Sequence, residues 1–130
     1  MFKNNRFSNL GFSLIELVVV VTIIIVLTTI GLVSYRQASR GSRNAKRKSD
    51  LETVRQALVL YRNDEGSYPA GSNFGSMLTT IGDYISFDSL TDPKSPTYDY
   101  AYTSADGSIF ELCATLETSA GTDPYCIDNP

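Results

Sequence analysis

Three sets of residues carry whatever chemistry this chain performs. They are a lone carboxylate, Glu16, inside an apolar run; a basic block of Arg36, Arg40, Arg43, Lys46, Arg47 and Lys48; and two cysteines, Cys113 and Cys126. The chain has no histidine, so a His-bearing zinc site or a Cys-His nucleophile pair cannot be built. No nucleophile-base pair, phosphate loop or paired-carboxylate site stands out. Asp64 and Glu65 are adjacent, which is not glycosidase geometry. The expected role is therefore structural and not enzymatic. Cys113 and Cys126 read as one disulfide, which implies an oxidising compartment, with two unrelated buried thiols as the alternative. Closing so short a loop stabilises a small domain by about 3 kcal/mol in the chain-entropy view. Glu117, Asp123 and Asp128 offer hard oxygen ligands of the kind calcium takes. Their spacing matches no calcium-loop pattern, so no cofactor is expected, with calcium the one metal left open.

Charge is unevenly placed. The net charge is −3, yet Lys94 is the one basic residue beyond Asn63, while acids recur throughout the C-terminal half. A basic collar joined to an acidic head suits a subunit that meets oppositely charged neighbours or lipid headgroups; two solvated faces are the plainer alternative.

These residues need elements to position them. Phe12 to Val33 holds one charge, Glu16, and no proline. A membrane helix needs about 20 apolar residues, and this run supplies them. It is rich in Val and Ile, but a lone strand in lipid would leave its backbone unpaired, so a helix is expected. A carboxylate in such a helix costs about 2.5–3.5 kcal/mol near its centre and less near an end, and is by default functional. The alternative is that Glu16 lies in the headgroup region. No small-x-small cleavage site ends the run, as a secretory signal would require. The run passes instead into Tyr35, Arg36 and Gln37. Before it lies a short leader with Lys3 and Arg6. Counting Lys and Arg on the two flanks places the C-terminal part in the cytoplasm, whereas the disulfide places it outside; the disulfide is given more weight.

Gly11-Phe12-Ser13-Leu14-Ile15-Glu16-Leu17-Val18-Val19-Val20 resembles the processing signature of the type IV pilin and type II secretion pseudopilin superfamily. The short basic leader, Gly11 before Phe12 and Glu16 at the fifth position from Phe12 all agree with it. The resemblance implies that prepilin peptidase cuts between Gly11 and Phe12 and that the new amine of Phe12 is N-methylated. It implies that Glu16 pairs with the Phe12 amine of a neighbouring subunit during assembly. Opposite charges attract far more strongly away from water, and leaving either unpaired is costly. Tyr61-Arg62-Asn63-Asp64-Glu65-Gly66-Ser67-Tyr68-Pro69 also resembles the helix exit of major pseudopilins. The superfamily often carries a proline in the first helix. This chain has Thr28-Thr29-Ile30-Gly31 there instead, and Gly weakens a helix by about 1 kcal/mol against Ala.

The expected fold is α+β and pilin-like: a long N-terminal helix, transmembrane in its first half, packed against a small antiparallel β-sheet. Residues 1–11 are the expected leader, 12–35 the apolar helix, 36–65 its amphipathic continuation, and 66–130 a globular head. Leu51, Val54, Leu58 and Tyr61 share one helical face. Gly66 and Pro69 stop the helix. Unbroken from Phe12 to Asn63, it would run roughly 78 Å, far beyond a ~30 Å bilayer core, so its second half must be the spine of the head. Phe74 to Ile81 suggests a short helix with Met77, Leu78 and Ile81 inward. Tyr98 to Thr103 and Ile109 to Glu117 flank Asp106-Gly107 as a hairpin. In the second strand Phe110, Leu112, Ala114 and Leu116 share a face, and a third strand is expected near Tyr125 to Ile127. Tyr98, Tyr100 and Tyr102 read as packing residues before they read as a sugar- or nucleic-acid-binding stripe.

The expected partners are further copies of the chain in a homopolymeric filament, prepilin peptidase, the inner-membrane assembly machinery, and membrane lipid before assembly. The filament is a type IV pilus on the cell surface, or the periplasmic pseudopilus of a type II secretion system if the chain is a major pseudopilin. A third reading is a DNA-uptake (competence) pilus subunit, with nucleic acid contacted through Arg43, Lys46, Arg47 and Lys48. A fourth is a plain single-pass membrane protein with an uncut leader.

Overall fold

The computed structural model describes residues 11–86 and 90–130. The leader lies almost wholly outside the described residues, as do Phe87, Asp88 and Ser89. The chain forms α1 (Leu14–Glu65), α2 (Phe74–Thr80), β1 (Ala101–Thr103), β2 (Glu111–Glu117) and β3 (Thr122–Asp128). This is an α+β fold with a long N-terminal helix and a three-stranded antiparallel sheet in the order β1-β2-β3. Two compact units divide it: one ending at Gln37, the other Ala38–Pro130.

In the first unit α1 contains a stretch long and apolar enough to cross a membrane. Its large apolar side chains are open along their whole length, from 83 % exposed at Phe12 to 47 % at Val20 and Val21. Thr22, Thr28 and Thr29 turn their hydroxyls inward and donate to the carbonyls of Val19, Ile24 and Ile25 at 2.7, 2.6 and 2.7 Å. Polar side chains are thereby satisfied on the helix itself, without water. The helix runs through Gly31 and Gly41 without a break.

In the second unit α1 turns amphipathic. Leu51, Val54, Ala57 and Leu58 are buried, as the three- and four-residue spacing requires, and Tyr61 packs at the margin. Against them lie Met77, Leu78 and Ile81 from the α2 region, Tyr102, Leu112 and Ala114 from the sheet, and Phe110 just before β2. Gly66 ends α1 with φ +82°, and its N–H donates to the Arg62 carbonyl at 2.8 Å. That left-handed stop is where Gly is favoured. Asn73 caps α2 by accepting the Ser76 N–H at 2.8 Å.

The hairpin forms around Asp106-Gly107, pairing Ala101 with Cys113 and Tyr102 with Leu112. Gly107 has φ +78°, and a Cβ there would meet the Tyr68 carbonyl oxygen at 2.7 Å. The Tyr68 N–H reaches the Gly107 carbonyl at 2.8 Å, so this turn is fastened to the chain leaving α1. β1 is shorter than the alternation of Tyr98, Tyr100 and Tyr102 implies. The N–H groups of Thr97 and Tyr98 bond back to the Lys94 carbonyl at 2.8 and 3.3 Å. A backbone held in that turn cannot also lie in a ladder. Tyr100 and Tyr102 are buried all the same, and their hydroxyls donate to Asp50 and to the Pro69 carbonyl. They are packing residues with polar tips satisfied.

Candidate functional site

Glu16 lies in the first turn of α1. Its carboxylate accepts the Ser13 N–H at 3.0 Å. Ser13-x-x-Glu16 is thus half of a capping box, with the acid reaching back to an orphan N–H. The same acid sits favourably at the positive end of the helix dipole. The four-residue pattern was present in the sequence, where the apolar run around it draws attention first. Phe12, Ile15, Val19 and Val20 surround Glu16 along an open groove. Gly11 has nothing within 4 Å of where its Cβ would stand, and both Gly11 and Phe12 are exposed.

The basic block divides. Arg47 is fully buried, and its guanidinium grips Asp92 through two bonds of 2.6 and 2.9 Å. Its remaining amine reaches Asn44 and Glu117, each at 3.0 Å. Arg43 holds Glu117 with two bonds of 2.7 Å. Lys94 adds a third cation to Glu117 at 2.8 Å. Asn44 completes the joint by giving its amide to the Glu117 carbonyl at 2.7 Å and accepting the Glu117 N–H at 2.9 Å. The cluster ties α1 to the end of β2 and to the loop at Asp92. Among the described residues no buried side-chain polar atom lacks a partner.

The electrostatics follow from this geometry. Arg43's hydrogen bonds, opposed by burial and joined by those of Lys94 and Arg47, hold the Glu117 carboxyl far below the usual carboxylate range. Burial pushes Asp92 up, but the Arg47 guanidinium and the Lys94 N–H outweigh it and leave it low. The bonds from Asp92 and Glu117 raise Arg47.

Two readings of the sequence change here. Arg43 and Arg47 are not contacts for an external anion, because acids of the same chain already occupy them. Lys46 pairs with Asp50 at 2.8 Å, and Lys48 lies over the Tyr125 ring at 4.9 Å. Nor is Glu117 a calcium ligand in this arrangement, since three cations surround it. Asp123 and Asp128 remain exposed on β3. Lys94 stands out in the sequence as the one basic residue beyond Asn63, but nothing there joins it to Asn44, Asp92 and Glu117, because these residues meet only after folding.

Cys113 and Cys126 form a disulfide between directly opposed residues of β2 and β3. Cys113 alternates with buried Leu112 and Ala114, so the bridge lies on the sheet face away from the core. Among the described residues, Glu111, Cys113 and Cys126 place ligand-type atoms within 4.8 Å of one another. The two sulfurs bond each other, so neither is the thiolate a metal requires. Comparison with family models, with curated proteins and with solved structures finds no match.

Proposed function

We infer that this chain is a pilin-like structural subunit. It would be cut between Gly11 and Phe12, methylated on the Phe12 amine, held in a membrane by Phe12 to Val33, and then packed with other copies into a type IV pilus or a related filament. One observation carries the reading. The apolar half of α1 is open along its length and holds a single acid, Glu16, at its start, whereas the amphipathic half of the same helix is buried by the sheet. An apolar surface of that size in water is a binding surface. Lipid covers it in an unassembled subunit, and the corresponding helices of other copies cover it in a filament. The processing signature around Gly11 and Glu16 favours the second stage.

The capping bond to Ser13 gives Glu16 a local partner before assembly. Exchanging it for a charged amine on a neighbour would replace a charge–dipole bond with an ion pair between two full charges. Glu16→Ala is therefore expected to be processed and inserted normally yet to yield no filaments by electron microscopy. A normal filament yield in that variant would overturn the assembly role. Among the related readings, a major pseudopilin gives no surface fibres at native expression, and microscopy separates it from a pilus subunit. The helix-exit resemblance leans toward pseudopilins and the cysteine pair toward pilins. The DNA-uptake reading loses Arg43 and Arg47 as phosphate contacts.

A further inference from the structure

The outer face of the sheet carries an acid that the ion pairs of the head leave alone. Glu111 is exposed, and among the described residues it joins no salt bridge. It stands two residues before Cys113 on β2, so the two side chains share a face. That face points away from buried Leu112 and Ala114. Cys126 lies directly opposite Cys113 on β3, with the Cα atoms 4.1 Å apart. The Glu111 carboxylate and the two sulfurs lie within 4.8 Å of one another, with Glu111 and Cys126 exposed and Cys113 half-buried.

We propose that the reduced form of this head, with both thiols free, binds one divalent cation of the zinc class through Cys113, Cys126 and Glu111. Two thiolates select such a metal over calcium or magnesium. A carboxylate serves as third ligand and water as the fourth. At the usual Zn–S distance of about 2.3 Å, two sulfurs around a tetrahedral ion stand about 3.8 Å apart. Side-chain rotation at facing strand positions reaches that spacing. The paired register from Glu111 to Glu117 on β2 and Thr122 to Asp128 on β3 keeps the three positions together without the S–S bond.

The disulfide uses the same two sulfur atoms, so metal and disulfide exclude each other. In exchange with a small disulfide such as oxidised glutathione, one thiolate attacks it and expels a thiolate. The second then attacks the mixed disulfide and expels the other. The protein gains one S–S bond, two electrons pass to the small disulfide, and the cation leaves. The site is independent of the filament reading, because all three ligands belong to the second unit.

The test uses the full chain in detergent micelles, reduced with a phosphine, freed of reductant and titrated without oxygen. Cobalt(II) is the probe, since its bonds to thiolate absorb in the near ultraviolet, and native mass spectrometry with zinc counts the ions. One ion per reduced chain is expected and none per oxidised chain. Glu111→Gln should weaken cobalt binding by about tenfold or more, and Cys113→Ser/Cys126→Ser should abolish it. Asp123→Asn, on the other face of β3, should leave it unchanged. Bound zinc should also slow closure of the disulfide by oxidised glutathione at least about tenfold, since it withdraws the attacking thiolates. Absence of the thiolate–cobalt band in the reduced wild type, equal binding by the oxidised chain, or equal closure rates with and without zinc overturns the proposal. So does an affinity untouched by Glu111→Gln, the result that a loose dithiol in an unfolded head would give.

Discussion

Arg47 is the fully buried cation of the joint that ties α1 to β2 and to the loop at Asp92. It and Asp92 are both fully buried, so removing one strands the other in a medium that solvates charge poorly. Asp92→Asn is expected to destabilise the head by about 3–5 kcal/mol. The paired change Arg47→Met/Asp92→Leu should cost far less, since Glu117 keeps Arg43 and Lys94 as partners and no unpaired charge is left behind. Denaturant titration of the full chain, followed by tyrosine near-UV circular dichroism, distinguishes the two outcomes; equal losses would mean the pair does not act as a unit. The same cluster sets the acid limit. Asp92 and Glu117 are both held below their unfolded values. Their contribution is fully present above the ordinary carboxylate range and is lost only as pH falls through the depressed folded values. The head should therefore keep its near-UV signal at pH 5, and lose it only in stronger acid than an ordinary set of carboxylates would require. The six cations of the collar are plain in the sequence, and so is the shortage of basic residues in the head. Which acids Arg43 and Arg47 meet is not, because Glu117 lies 74 residues from Arg43 and Asp92 45 from Arg47, and no local spacing encodes those encounters.

The elements were legible where a pattern repeats and obscure where a tertiary bond overrides it. The spacing of Leu51, Val54 and Leu58 marks the buried face of α1, and Gly66 marks its end. Asp106-Gly107 marks the hairpin, and alternation marks Phe110 to Leu116. Tyr98 breaks the pattern because the turn at Lys94 captures its N–H; its ring packs beneath Arg47, with the guanidinium 5.4 Å from the ring centroid. Pro124 lies within β3, which is an edge strand of the sheet, the place where a strand tolerates proline. Two predictions belong here. Gly107→Ala meets both a left-handed φ and the Tyr68 carbonyl; the cost should be several times the 0.4–1 kcal/mol that a compatible Gly→Ala change typically gains. Thermal melting would show it, and a wild-type midpoint would mean the turn relaxes. The disulfide lies outside the core, so Cys113→Ser/Cys126→Ser should lower stability by about 3 kcal/mol through the unfolded chain while leaving the burial of Tyr102 and Leu112 intact. Hydrogen exchange across β2 and β3 reads both effects, and collapse of protection in β1 as well would place the bridge in the core's service after all.

At the scale of the whole molecule, two kinds of surface meet in one chain. The head satisfies itself: among the described residues its buried polar side chains are paired and its buried apolar residues form one cluster. The apolar half of α1 does not, for none of its membrane-length stretch is buried. An apolar surface of this extent calls for a covering other than water; on the proposed reading the acid at Glu16 would give neighbouring copies a register. The claim of a filament subunit stands on processing at the start of that helix, so the most direct measurement is the mass of the intact protein purified from its native membrane. The account predicts a chain that begins at Phe12 and carries one methyl group on that N-terminal residue. A chain that still begins at Met1 and carries no methyl group, in cells with an active prepilin peptidase, would contradict it.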